Sequence, residues 1–188
     1  MSETPHTRPT VVLVGPPGAG KTTIGTELAR RAGTRLVDTD AAIAAEQGRT
    51  ISDIFVDDGE AAFRVFERDA VLAALAHHDG VLSLGGGAVM TADIEAALLD
   101  DRHTGTVVFL DVGIADAASR VGFDASRPML VINPRASWNR LMRDRRPTYE
   151  RVASIHINTA GRSVADIADE IERELGAQGV AQAGAGNT

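Results

Sequence analysis

Residues Gly15 to Thr23 read GPPGAGKTT, and the spacing Gly15-x-x-x-x-Gly20-Lys21-Thr22 is that of a phosphate-binding loop. Its glycines let consecutive backbone N–H groups turn into one concavity. A helix starting near Gly20 adds free N–H groups and the positive end of its dipole. Lys21 supplies a point charge for the β- and γ-phosphates, and Thr22 a hydroxyl for Mg²⁺. Lys21 is also the only lysine among the 19 Lys+Arg. A chain that otherwise uses arginine keeps a lysine where a phosphate loop needs one. The stretch Gly18, Ala19, Gly20, Lys21, Thr22 and Thr23 is therefore assigned to binding ATP or GTP.

Phosphoryl transfer also needs carboxylates, one near the metal and one near the attacking hydroxyl. Asp38 and Asp40 stand two residues apart, which in an extended segment points them the same way. The spacing equally allows Asp38 to end a strand and Asp40 to cap the next helix. Asp111 competes with Asp38 for the metal, because it ends the run Val107-Val108-Phe109-Leu110 as a Walker-B aspartate does. Pattern alone does not choose between them. Gly85-Gly86-Gly87 follows another apolar run and leaves room for a ligand or a backbone to approach. Its N–H groups suit a carboxylate, although a permissive turn is the simpler account.

Four arginines divide by position. Arg64 lies four residues after Glu60, so a surface ion pair explains it most simply. Arg145 continues an apolar stripe, because Trp138, Leu141, Met142 and Arg145 fall at i, i+3, i+4 and i+7. It therefore points inward, where it needs an anionic partner. Arg146 is turned about 100° away and reads as solvated, as do Arg135, Arg140 and Arg143. Arg127 precedes Pro128 in a Gly/Pro-flanked segment that suits a mobile lid, from which it could reach a transferring phosphoryl group on closure. It also reads as an ordinary loop arginine. The five histidines form no metal-ligand spacing.

These residues need a scaffold that brings them together. Strand patterns fall at 11–14, 35–38, 81–84, 106–110 and 154–158. Helical patterns fall at 20–32, 40–47, 52–57, 60–77, 91–99, 114–121, 135–146 and 163–175. Alternating β and α elements predict a mainly parallel sheet with helices on both faces, and ligands in such folds bind at the carboxyl ends of the strands. The P-loop, Asp38 to Asp40, Gly85 to Gly87 and Asp111 each follow a strand, and Gly122 to Pro128 lie beyond one short helix, so these segments should converge on one cleft. The 188 residues predict one domain over 10–175, with a flexible N-terminus (1–9), a lid at about 112–134 and a disordered tail (176–188). A net charge of −7 argues against nucleic acid or anionic membrane as main partner. There is no cysteine, which excludes disulfides and thiolate chemistry. No apolar run reaches transmembrane length and no signal-peptide core is visible, so a cytoplasmic protein is expected.

In order along residues 10–162, these segments resemble the shikimate kinase family. The resemblance rests on Gly15–Thr23, Leu36–Asp40, Gly48–Phe55, Asp58–Arg64, Leu82–Ala88, Arg127-Pro128 and Arg145–Tyr149. It implies a P-loop NTPase fold, a three-layer α/β/α sandwich with a five-stranded parallel sheet in the order 2-3-1-4-5 and a mobile lid. It also implies transfer of the γ-phosphoryl group of ATP to the 3-hydroxyl of shikimate, with Mg²⁺, by a monomer on the route to chorismate and aromatic amino acids. By the same resemblance, Asp40 binds the shikimate hydroxyls and is the candidate base. Arg64 and Arg145 grip the carboxylate with help from the backbone near Gly86, and Asp38 with Thr22 holds Mg²⁺, with Ser83 as a further candidate. Arg127 is the lid arginine on the phosphates, and Arg120 and Arg162 match the arginines that flank adenine. The chain departs from the family pattern at Asp124 and Met129 in the lid and at Thr148. A gluconate kinase or a non-catalytic nucleotide sensor are the competing readings. The first has no need of an inward arginine pair, and the second would have lost Lys21, Asp40, Arg64 or Arg145.

Overall fold

The computed structural model describes residues 9–100, 105–121 and 134–185. Its centre is β1 (Val11–Val14), four apolar residues that are all buried, as expected of a strand covered on both faces. β4 (Thr106–Asp111) repeats that pattern with only its two ends partly exposed. β2 (Leu36–Asp38) and β3 (Val81–Ser83) complete one side. β5 (Ile155–Asn158) forms the other edge and alternates buried Ile155 and Ile157 with exposed His156 and Asn158. All four pairings are parallel and the order is β2-β3-β1-β4-β5. This is the arrangement that the resemblance implied, and it brings every strand's carboxyl end to one edge.

Local chemistry sets most helix boundaries. α1 (Lys21–Ala32) starts at Gly20 and stops at Gly33, both in the left-handed region. α2 (Thr39–Gln47) is capped by Asp38, whose side chain accepts from the N–H groups of Asp40 and Ala41. α3 (Ile51–Asp57) carries a reciprocal capping box between Thr50 and Asp53. α4 (Gly59–His77), a 3₁₀ turn (Ala88–Met90), α5 (Ala92–Leu98) and α6 (Ile114–Val121) follow. α1 packs on α8 (Val164–Ala185), while α4, α5 and α7 (Pro134–Val152) form a second group.

Two helices outrun their sequence patterns. α7 was expected to end at 146, before Pro147, but it continues through the proline to Val152. Buried Thr148, Tyr149 and Val152 anchor the extra turn and offset the hydrogen bond that proline cannot donate. α8 continues to Ala185, where a disordered tail from 176 was expected. The segment is alanine-rich, and its isolated glycines weaken a helix without breaking it.

The core has two parts. The larger spans the sheet and the helices against it. A satellite of Ile43, Ile54 and Phe63 joins α2, α3 and α4, with Ile51, Phe55, Phe66 and Ala70 packed around it. That satellite supports the region where Asp40 and Arg64 sit.

Candidate active site

A cleft of about 880 Å³ opens at the carboxyl edge of the sheet. On its floor the P-loop leaves β1 with Gly15, Gly18 and Gly20 at φ 147°, 78° and 90°. A side chain at Gly15 would also strike Leu110, since a Cβ there would stand 2.4 Å from that carbonyl oxygen. Lys21 Nζ donates to the carbonyls of Gly15 and Pro16 at 2.8 and 3.1 Å, so the ammonium lies across its own loop. Gly18, Gly20, Thr22 and Thr23 line the cleft, while Ala19 is wholly buried beneath it.

Asp38 divides its carboxylate between two tasks. Oδ1 caps α2, at 3.1 Å from Asp40 N and 3.2 Å from Ala41 N. Oδ2 accepts from Thr22 Oγ1 at 2.6 Å and from Ser83 Oγ at 3.2 Å. The helix cap is thus Asp38, not Asp40. Because Thr39 is already helical, the two aspartates are also not held side by side as in an extended strand. Asp40 instead turns from the first turn of α2 toward the glycine run, and a Cβ on Gly85 would come within 2.5 Å of its Oδ1. The other candidate metal aspartate, Asp111, is bound by Arg146 through two hydrogen bonds at 2.7 and 2.8 Å and does not line the cleft. Among the described residues no group of three or more His, Cys, Asp or Glu side chains is arranged to hold a metal ion.

The glycine run is needed for its missing side chains. A Cβ on Gly85 would also meet Glu67 Oε1 at 2.7 Å, and one on Gly87 would meet Arg64 Nη1 at 2.5 Å. The Gly85 N–H is taken by buried Thr39 Oγ1 at 3.0 Å, so Gly86 and Gly87 are the run's remaining backbone donors. Arg145 Nη1 donates to the Gly86 carbonyl at 2.9 Å, and Tyr149 Oη donates to the same oxygen. Arg145 is therefore turned inward as its apolar stripe requires. Arg146 stays half-exposed, in keeping with its outward turn, but it is not free in solvent, because its Asp111 pair and the Phe109 ring engage it.

Arg64 does pair with Glu60, at 3.0 Å, but its shorter contact is with Glu67 at 2.6 Å. Sequence reading missed Glu67, which is only 1% exposed. The signal was present: Phe63, Glu67 and Val71 are spaced by four on the buried face of α4, the same rule that exposed Arg145. Burial pushes the Glu67 carboxyl up, while the Arg64 guanidinium pulls it down. Burial works against the charge of Arg64 as well, but Glu67 and Glu60 more than offset it and its pKa is raised. Two carboxylates, Asp40 and Glu67, thus face two guanidinium groups, Arg64 and Arg145, around the glycine run.

At the opposite end, Arg120 donates to Gly18 O at 3.4 Å, to Thr159 Oγ1 at 3.1 Å and to Thr159 O at 2.7 Å. Arg162 is held by the Asn158 and Asp166 carbonyls and by Glu170. Both line the cleft. Arg127 and the segment 122–133 lie outside the described residues.

A parallel sheet in this order, with a P-loop after its central strand, defines a P-loop kinase-like α/β protein. Comparison with known proteins narrows the class. The family model for shikimate kinase matches residues 17–176. The chain is 49% identical over 172 residues to a shikimate kinase of Thermobifida fusca, covering 92% of this chain and 98% of that one. It is 50% identical over 159 residues to that of Streptomyces coelicolor, covering 85% and 91%. A solved shikimate kinase from Acinetobacter baumannii, in complex with shikimate, matches with a TM-score of 0.85 and 34% identity over 92% of this chain and 94% of that one. A gluconokinase from Sinorhizobium meliloti shares the fold alone, at a TM-score of 0.56 and 16% identity. The chain belongs to the shikimate kinase family.

Proposed function

We propose that the protein transfers the γ-phosphoryl group of ATP to the 3-hydroxyl of shikimate, within the biosynthesis of chorismate and the aromatic amino acids. The observation that carries the reading is the convergence of Arg64, Arg145 and Asp40 on Gly85–Gly87, in the same cleft as the P-loop. Shikimate has one carboxylate and three hydroxyls. Two planar guanidinium groups suit the carboxylate, and the Gly86 region adds backbone donors. Asp40 suits the hydroxyls, orienting the attacking oxygen and taking its proton. Residues Gly18 to Thr23 hold the triphosphate, with Lys21 released from its loop carbonyls onto the phosphates. Arg120 and Arg162 flank the base, and Arg127 approaches the transferring group from the lid.

The oxygen set of Thr22, Asp38 and Ser83 fits Mg²⁺, a hard cation that keeps most of its waters and takes few protein ligands. Thr22 and Asp38 would hold it, and when bound it neutralises charge on the phosphate oxygens. Catalysis then consists mainly of positioning and charge neutralisation. Residues 10–175, with the continuation of α8 to Ala185, act as one domain, and the enzyme works as a cytoplasmic monomer. Among the described residues no helix is long and apolar enough to cross a membrane.

The test is ADP release from Mg-ATP with shikimate, with gluconate and with no acceptor. Strong stimulation by shikimate alone is expected. ATP binding without stimulation by any hydroxy acid would overturn the reading in favour of a nucleotide sensor.

A further inference from the structure

α7 is weakest where it matters most. Pro147 has no N–H to offer the carbonyl of Arg143, and its ring crowds that carbonyl. The side chains of Arg145 and Arg146 project from that softened turn, so the stripe sets the face on which Arg145 lies but does not fix where its guanidinium is aimed. Two sets of contacts do. On the cleft side, Arg145 and Tyr149 both donate to Gly86 O. On the other side, Arg146 forms its two-bond fork with Asp111. Its guanidinium carbon stands 5.7 Å from the centre of the Phe109 ring, which Tyr149 stacks at 5.1 Å. Asp111 is itself fixed, because its carbonyl accepts from Thr159 N at 2.9 Å and from Thr159 Oγ1 at 3.1 Å.

We propose that Asp111 and Arg146 form a positioning pair for Arg145. They clamp the proline-weakened turn of α7 to the carboxyl end of β4 and so aim the Arg145 guanidinium at the glycine run. A fork of this kind fixes direction as well as distance, which a single contact does not. The inference rests on reading Arg145 as a ligand of the substrate carboxylate. Its rival is an ordinary half-exposed ion pair that contributes little to function.

The experiment uses Arg146→Gln and Asp111→Asn, each alone and in an Arg145→Ala background, with KM for shikimate, KM for ATP, kcat and thermal midpoint measured throughout. Each single variant should raise the shikimate KM by roughly 5- to 30-fold and leave the ATP KM within about twofold, as coupled neighbours do. In the Arg145→Ala background the same changes should add less than about twofold, because nothing is left to aim. Arg146→Lys keeps the charge but loses the fork, and should fall between wild type and Arg146→Gln. A lowered midpoint with unchanged shikimate KM would leave only a structural pair and overturn the proposal. Equal effects with and without Arg145, or parallel rises in both KM values, would overturn it too. If Arg145→Ala itself leaves the shikimate KM unchanged, the reading of Arg145 fails and takes the proposal with it. If that control behaves and Arg146→Gln does not, only the positioning fails.

Discussion

At the residue scale the site is an arrangement of four opposite charges on a strip without side chains. Asp40 and Glu67 approach Gly85, Arg64 approaches Gly87, and Arg145 holds the carbonyl of Gly86. If Asp40 meets the substrate hydroxyls as proposed, its carboxylate should act in the transition state more than in the ground state. Asp40→Asn keeps the shape and removes the charge. It is expected to lower kcat by roughly 10²-fold or more, read by the ADP-release assay. A loss confined to KM would reduce Asp40 to a binding residue. The P-loop, Asp38, Asp40 and the glycine run were legible as candidates in the chain, because each requires unusual residues at fixed spacing. The partition of work between Asp38 and Asp111 was not, since both end strands. What sets them apart is their partners, Thr22 and Ser83 for Asp38 and Arg146 for Asp111, and a helical wheel that sends Arg146 to solvent cannot show that it meets Asp111. Glu67 escaped because a buried carboxylate between apolar residues looks like a solvated one until the stripe is drawn.

At the element scale, the side of the cleft that carries Asp40 and Arg64 rests on the small core of Ile43, Ile54 and Phe63. α2 carries Asp40 and α4 carries Arg64, and Phe63 packs between them and α3. The Phe63 ring also lies 5.5 Å from the Arg64 guanidinium carbon and 4.6 Å from the Phe55 ring. Phe63→Ala should cost about 3–5 kcal/mol of stability, as large-to-small changes of buried phenylalanine do, measured by urea unfolding. It should raise the shikimate KM and leave the ATP KM near wild type, because the P-loop belongs to the larger core. Equal shifts in the two KM values would show that the satellite does not act locally. Strands were easy to place from the sequence, since buried parallel strands are short apolar runs with sharp ends. Helix ends at Pro147 and beyond Leu175 were harder. Local rules stop a helix at proline and weaken it at glycine, but Tyr149 and Val152 anchor the turn beyond Pro147 through partners distant in sequence.

At the scale of the whole molecule, the strand order puts both halves of the site on one edge, and Tyr149 ties that edge to the core. It is the chain's only tyrosine, it is 1% exposed, and its hydroxyl donates to Gly86. Burial pushes its phenol up from 10.0 to about 12. A phenolate could not donate to Gly86, so ionisation is resisted by the fold as a whole. Because the folded value is raised, this contribution to stability is fully present below the unfolded value near pH 10 and is lost as pH rises through about 12. The full shift corresponds to roughly 2–3 kcal/mol. At pH 11 the folded protein should therefore show little phenolate absorbance, and urea should release it in one step with global unfolding. Tyr149→Phe should flatten the fall in stability between pH 10 and 12, because its replacement has no proton to lose. With one tyrosine the phenolate signal has a single source. Phenolate appearing near pH 10 before any unfolding would mean that water reaches the hydroxyl, and that the tie between Gly86 and the core is weaker than its burial implies.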